Sequence, residues 1–253
     1  MSENPYASPS PESEPAPLKA GARFSLLHLL WIIPVGLVVI ALFIPAPRRS
    51  REAARRTQCK SHLKQIGLAL HNYHDTYGAF PPAYTVDATG KRLHSWRTLI
   101  LPFVDQVPLY EKIDLSKAWD DPANAEAAKT VLSIYHCPSS PVSGTGCSYV
   151  AIVGAGTSFP GAESKSIPQI TDGISNTILV VEVDSEKSVS WMSPTDVDEQ
   201  YFLSLGPKSK VSHTGGLHAL IADGSVRFLS YNLDHKTRHA LMTIDAADTV
   251  GEF

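Results

Sequence analysis

Residues 48–78, RRSREAARRTQCKSHLKQIGLALHNYHDTYG, decide the fold. Within them Cys59, Leu63, Ile66, Leu70, Tyr73 and Tyr77 recur at spacings that alternate between four and three. That period places them on one edge of an α-helix, with Lys60, Lys64, Gln65, His71 and Asn72 on its other faces. Gly78, followed by Pro81 and Pro82, ends the element: glycine accepts the left-handed conformation that closes a helix, and proline cannot extend one. A helix with one apolar edge needs an apolar surface to lie on.

Upstream, Phe24–Ile44 reads FSLLHLLWIIPVGLVVIALFI and contains no Asp, Glu, Lys or Arg. At about 1.5 Å per residue such a helix spans roughly 30 Å, the thickness of a bilayer's hydrocarbon core. Lipid-embedded helices tolerate residues such as Pro34 and Gly36, and His28 lies near enough to the start of the run to reach the interface. The run exceeds the apolar core of a signal peptide, and no small-x-small cleavage site separates it from the arginines. We expect a retained transmembrane anchor over residues 23–45, leading through a kink at Pro45 and Pro47 into the one-edged helix. Residues 1–22, rich in Pro, Ser and Glu and poor in large apolar side chains, are expected to be a disordered tail.

Beyond residue 80 the apolar runs shorten. SYVAIV and TILVVEV are rich in β-branched residues and read as strands, and AEAAKTVLSIY reads as a short helix. LHALIA and SVRFLS flank Asp223-Gly224, the signal for a two-residue hairpin turn. The expected fold class is therefore α+β. A long N-terminal helix, membrane half plus amphipathic half, packs on a mainly antiparallel sheet within a domain covering residues 46–253.

The 253 residues carry a net charge of −3, so no global field draws the chain to nucleic acid. Three cysteines, Cys59, Cys137 and Cys147, exclude a disulfide-dense scaffold and a four-cysteine zinc site within one chain. Arg48–Lys64 contains seven cations against Glu52 alone, and beside a bilayer such a run meets anionic headgroups. By the positive-inside rule these arginines would hold the C-terminal domain in the cytoplasm.

The stretches REAARRTQCKSHLKQIGLALHNYHDTYGAFPPAY, SWRTLILPFVDQVPLYEKIDLSKAWDDPAN, YHCPSS and ITDGISNTILVVEV, then His213 with nine residues before Asp223-Gly224, resemble a bacterial family of prepilin-like proteins, domain of unknown function 1559. The resemblance runs over roughly residues 45–230 and includes the family's His-x9-Asp-Gly signature. It implies a pilin-like architecture with the C-terminal domain exported, against the arginine count. Arg23 and His28 replace the Gly and Glu of the usual prepilin start. An uncleaved anchor is therefore expected, on a monomeric or minor, assembly-associated protein rather than a major filament subunit.

The residues leave several sites open. An exported domain could join Cys59 to Cys137, or Cys137 to Cys147. His213 could cap the hairpin loop by bonding Asp223, with Gly224 supplying the positive φ; alternatively His213, His218 and Asp223 could hold a metal or ligand. His71, His74 and Asp75 have ligand-like spacing but also suit a solvated helix face. Ser61-His62-Leu63-Lys64 matches S-x-x-K without the companion motifs of acyl enzymes. We expect no catalytic residue, cofactor, metal or nucleic-acid partner. The expected role is structural: a pseudopilin-like, membrane-anchored protein of the inner membrane, contacting the lipid bilayer and pilus or secretion assembly proteins. The rival is a membrane-tethered hydrolase or metal-binding protein using the His213/Asp223 region. Intact-mass measurement on membrane extracts should find a chain that keeps the residues before Phe24; a mature N-terminus at Phe24 would contradict the uncleaved anchor.

Overall fold

The computed structural model describes residues 33–39, 48–209 and 212–246, and the chain divides into units at Pro47 and Arg48. In the first unit, residues 33–39 are helical straight through Pro34 and Gly36, with Ile33, Leu37 and Val38 exposed. The tail expected over residues 1–22, and the rest of the anchor expected over 23–45, lie outside the described residues. Among the described residues no helix is long and apolar enough to cross a membrane.

The second unit opens with α1 (Arg48–Tyr77), 30 residues long. It has Gly67 as its one glycine and no proline, and Ala, Leu, Arg, Lys and Gln dominate it. Gly78 closes the helix at φ 78°, its N–H reaching the His74 carbonyl at 2.7 Å. The periodic edge is buried where expected, with Cys59, Leu63, Ile66 and Leu70 fully covered. Tyr77 is the exception at 63% exposure; it leans on Tyr73 with ring centres 4.4 Å apart and planes tilted by 44° instead of entering the core.

The strands that follow are β1 (Tyr84–Val86), β2 (Arg92–Ser95), β3 (Gly146–Cys147), β4 (Tyr149–Val153), β5 (Ile178–Glu182), β6 (Val189–Ser190), β7 (Val197–Asp198), β8 (Gly216–Ile221) and β9 (Val226–Ser230). β1 pairs with β2, β3 pairs with β6, and the rest form one sheet in the order β7-β4-β5-β8-β9. Every pairing is antiparallel except β4 with β7. The molecule is thus α+β with mainly antiparallel sheets.

Alternation along the strands builds two cores. Tyr149 and Ala151 of β4, Val180 of β5 and Leu220 of β8 face α1, and with Leu63, Ile66 and Leu70 they form the larger core. Val150, Ile152, Val181, Ala219 and Ile221 point the other way, onto the helices α2 (Glu199–Ser204) and α3 (His235–Met242). Gly67 permits the close approach of α1 to β8, since a Cβ there would lie 2.7 Å from Leu220 Cδ1.

The expected helix over AEAAKTVLSIY is shorter than its composition suggests: one α turn at Ala125–Ala128, then a 3₁₀ turn at Ser133–Tyr135. Arg97, fully buried beside β4, spreads its guanidinium over Asp196 at 2.6 Å and the carbonyls of Trp191, Ser193 and Thr195, so every face of the charge has an acceptor. Removing side-chain volume from the α1 seam should be costly. Ile66→Ala is expected to lose about 2–5 kcal/mol in denaturant unfolding of the full chain in detergent, whereas exposed Leu68→Ala should change stability by less than about 1 kcal/mol.

Candidate functional site

At one end of the α1–sheet seam five chain segments converge. α1 contributes Glu52 and Cys59, and the extended segment after the Ser133–Tyr135 turn contributes Cys137, whose N–H is held by Ser148 Oγ at 3.2 Å. β4 and β5 contribute Tyr149 and Glu182, directly opposite one another in the ladder. The turn before β8 contributes His213, and β8 contributes His218. Strand alternation turns Tyr149, Glu182 and His218 toward α1 rather than toward α2 and α3.

Cys59 Sγ lies 2.8 Å from Cys137 Sγ and 3.0 Å from Tyr149 Oη, and its thiol also points at Glu182 Oε1. His213 Nε2 is 3.5 Å from Cys137 Sγ and 3.3 Å from Glu182 Oε1, while its Nδ1 meets Glu52 Oε1 at 3.0 Å. The second Glu182 oxygen accepts the backbone N–H of His218 at 2.7 Å and faces His218 Nδ1 at 3.0 Å. Glu52 is itself held by Ser139 and Arg55. Cys59, Cys137, Glu182 and His213 are all buried, and their donor atoms lie within 4.8 Å of one another.

The charges follow from that packing. Burial works against ionisation of Glu182, yet hydrogen bonds from His213 and His218 hold it well below the usual carboxylate range. Burial likewise opposes charge on His213, but hydrogen bonds to Cys137 and Glu182 raise it to about 10. Burial, with Cys137 and Glu182 close by, pushes the Cys59 thiol far up. The hydrogen bond from Cys59, aided by His213, lowers Cys137 to about 6. The pocket thus favours an anion on Cys137 and Glu182 beside a cation at the position of His213.

Residues 48–166, just under half of the chain, match a known family, described as a protein of unknown function (DUF1559). The match supports that family for this chain. No curated protein and no solved structure matches it. The DUF1559 span takes in α1, Cys59, Cys137 and Tyr149; Glu182, His213 and the Asp223-Gly224 turn lie beyond it.

The structure separates the residues of the His-x9-Asp-Gly signature. His213 precedes β8 and Asp223 follows it, about 20 Å apart along a six-residue strand, so His213 does not cap the hairpin loop. Asp223 Oδ1 accepts the N–H of Ser225 at 2.8 Å instead. The turn also differs from the two-residue form expected. Gly224 N–H bonds the Ile221 carbonyl at 2.9 Å and Ile221 N–H the Ser225 carbonyl at 2.8 Å, so the loop has three residues and only Gly224, at φ 81°, is left-handed.

Of the three thiols, Cys59 and Cys137 adjoin, whereas Cys147 donates to the Tyr149 carbonyl at 2.9 Å. His71 and His74 are half-buried against Phe80, with ring centres 5.6 and 5.1 Å away, rather than solvated or paired as ligands. His74 Nε2 accepts the Ile167 N–H at 3.2 Å.

Sequence reading missed Glu182, Glu52 and Tyr149. One signal was present: Glu182 interrupts the apolar run ILVVEV, and a carboxylate inside a strand buried on both faces must have partners. His213→Ala strips a partner from that carboxylate and is expected to cost about 3–5 kcal/mol in chemical unfolding. Gly224→Ala should cost about 1–2 kcal/mol, for placing a Cβ in the left-handed region. Asp223→Ala should cost about 1 kcal/mol, for the turn hydrogen bond to Ser225 and the side-chain contacts with Ser175 and Arg227.

Proposed function

We propose that the chain is a pilin-like, membrane-anchored structural or interaction protein of the cell envelope, with its domain of residues 46–253 outside the cytoplasm. The observation that carries this reading is the seam of α1 on the sheet. A 30-residue helix lays an apolar edge of Cys59, Leu63, Ile66 and Leu70 on an antiparallel sheet, and in sequence it follows a charge-free run long enough for a bilayer. That is the division of labour a pseudopilin helix requires, one half lipid-soluble and one half docked. The helical course through Pro34 and Gly36, with apolar side chains exposed, supports the anchor. The match to DUF1559 supports the family but names no activity.

A second reading, a metal-binding or hydrolytic protein, draws on the Cys59, Cys137, Glu182 and His213 cluster. All four residues are buried, which favours a structural use of the cluster over substrate turnover. Asp223 stands apart from it, at the far end of β8.

Protease added to intact spheroplasts tests the topology of the leading reading. The domain should be digested while a membrane-embedded N-terminal fragment survives, and proximity labelling from the domain should mark pilus or secretion assembly proteins. A domain that resists digestion until the membrane is lysed would overturn the proposed orientation.

A further inference from the structure

We propose that Cys59 Sγ, Cys137 Sγ, His213 Nε2 and Glu182 Oε1 are the four ligands of a structural zinc ion that fastens α1 to the sheet. Sequence spacing points to no such set, because the ligands come from four separated segments; the fold brings them within 4.8 Å of one another. Two thiolates, an imidazole and a carboxylate form a mixed donor set of the kind zinc accepts, and four protein ligands with no open position mark a structural site.

The geometry suits that ion. Bonds of about 2.0–2.3 Å arranged as a tetrahedron put neighbouring ligand atoms about 3.3–3.8 Å apart. Cys137 Sγ to His213 Nε2 is 3.5 Å, and His213 Nε2 to Glu182 Oε1 is 3.3 Å. The edges from Cys59 to Cys137 and to Glu182 are shorter, 2.8 Å in the case of Cys137, so ion binding requires the Cys59 thiol to draw back toward α1.

The atoms that face away from the centre are the stronger argument. His213 Nδ1 is fixed by Glu52 Oε1 at 3.0 Å, which orients Nε2 inward in the carboxylate–histidine–metal arrangement. The outer oxygen of Glu182 is taken by the His218 N–H and Nδ1, which leaves Oε1 for the ion. Tyr149 Oη stands 3.0 Å from Cys59 Sγ, placed to donate to a thiolate. A carboxylate in mid-sheet whose hydrogen-bond partners are imidazoles, an amide and a thiol gains charge neutralisation from a divalent cation.

Binding forms four coordinate bonds and releases two protons to solvent, one from the Cys59 thiol and one from the His213 imidazolium, which enters as neutral imidazole beside the Cys137 thiolate and the Glu182 carboxylate. No electron is transferred. The ion would cross-link α1, the Cys137 segment, β5 and the β8 approach, so its binding free energy adds to folding. A Cys59–Cys137 disulfide would use the same two sulfurs, and the two states exclude each other.

The test uses the full-length chain, purified in detergent without chelators or added oxidant. Elemental mass spectrometry should find about one zinc per chain, with Cys59 and Cys137 unlinked by mass mapping of alkylated peptides. Replacing zinc by Co²⁺ should produce a thiolate-to-cobalt charge-transfer band and tetrahedral d–d absorption. Cys137→Ser and Glu182→Gln should lose the zinc, and Cys147→Ser should keep it. Should the ligand variants fail to fold, Glu52→Gln keeps the read-out, because Glu52 is partly exposed and touches only His213 among the four ligands. Its zinc affinity by chelator competition should fall roughly 10–100-fold. A Cys59–Cys137 disulfide in the isolated protein would overturn the proposal. So would free thiols that take up no zinc when it is supplied, or a zinc content unchanged in Cys137→Ser.

Discussion

A 30-residue helix that is polar on most of its faces has to lay its one apolar edge on something, and in this protein the surface is the α1-facing side of β5 and β8. Leu63, Ile66 and Leu70 are fully buried there, each contributing about 1.5–3 kcal/mol relative to exposure. Gly67 lets the helix approach Leu220, and Gly78 stops it where the edge runs out. The second core, behind the sheet, exists because alternation sends every other strand residue away from α1, and α2 and α3 cover that face.

Two polar knots sit inside this apolar frame. Around Arg97 a charge is surrounded by Asp196 and carbonyl oxygens, and around Glu182 a carboxylate is surrounded by imidazoles, an amide and a thiol. Buried ion pairs add little net stability once desolvation is counted, but losing one member is expensive. Such knots work as register marks. Glu182 can meet Tyr149, His218 and Cys59 together only if β4, β5, β8 and α1 are all correctly aligned, so the cluster ties helix docking to strand register.

Legibility followed the range of the interaction. The four–three period of α1, the β-branched runs of β4 and β5, and the glycine stop at residue 78 are local, and they appeared in the structure where composition placed them. Errors arose where the chain just beyond a local signal folded back on it. His71 and His74, spaced for a solvated face, are half-buried because Phe80 folds back onto them. Asp223-Gly224 makes a three-residue loop rather than a two-residue turn, because the ladder places Ile221 opposite Ser225.

The sequence by itself determined a one-edged helix, a set of short strands and a charge-free run ahead of them, because period, branching and charge are properties of neighbouring residues. Tertiary structure alone decided that Cys59, Cys137, Glu182 and His213 share one buried pocket while Asp223 stands apart from His213. The physical reason is that these four meet through strand register and helix docking, and the contacts they make are set by which faces the core leaves for them rather than by their spacing along the chain.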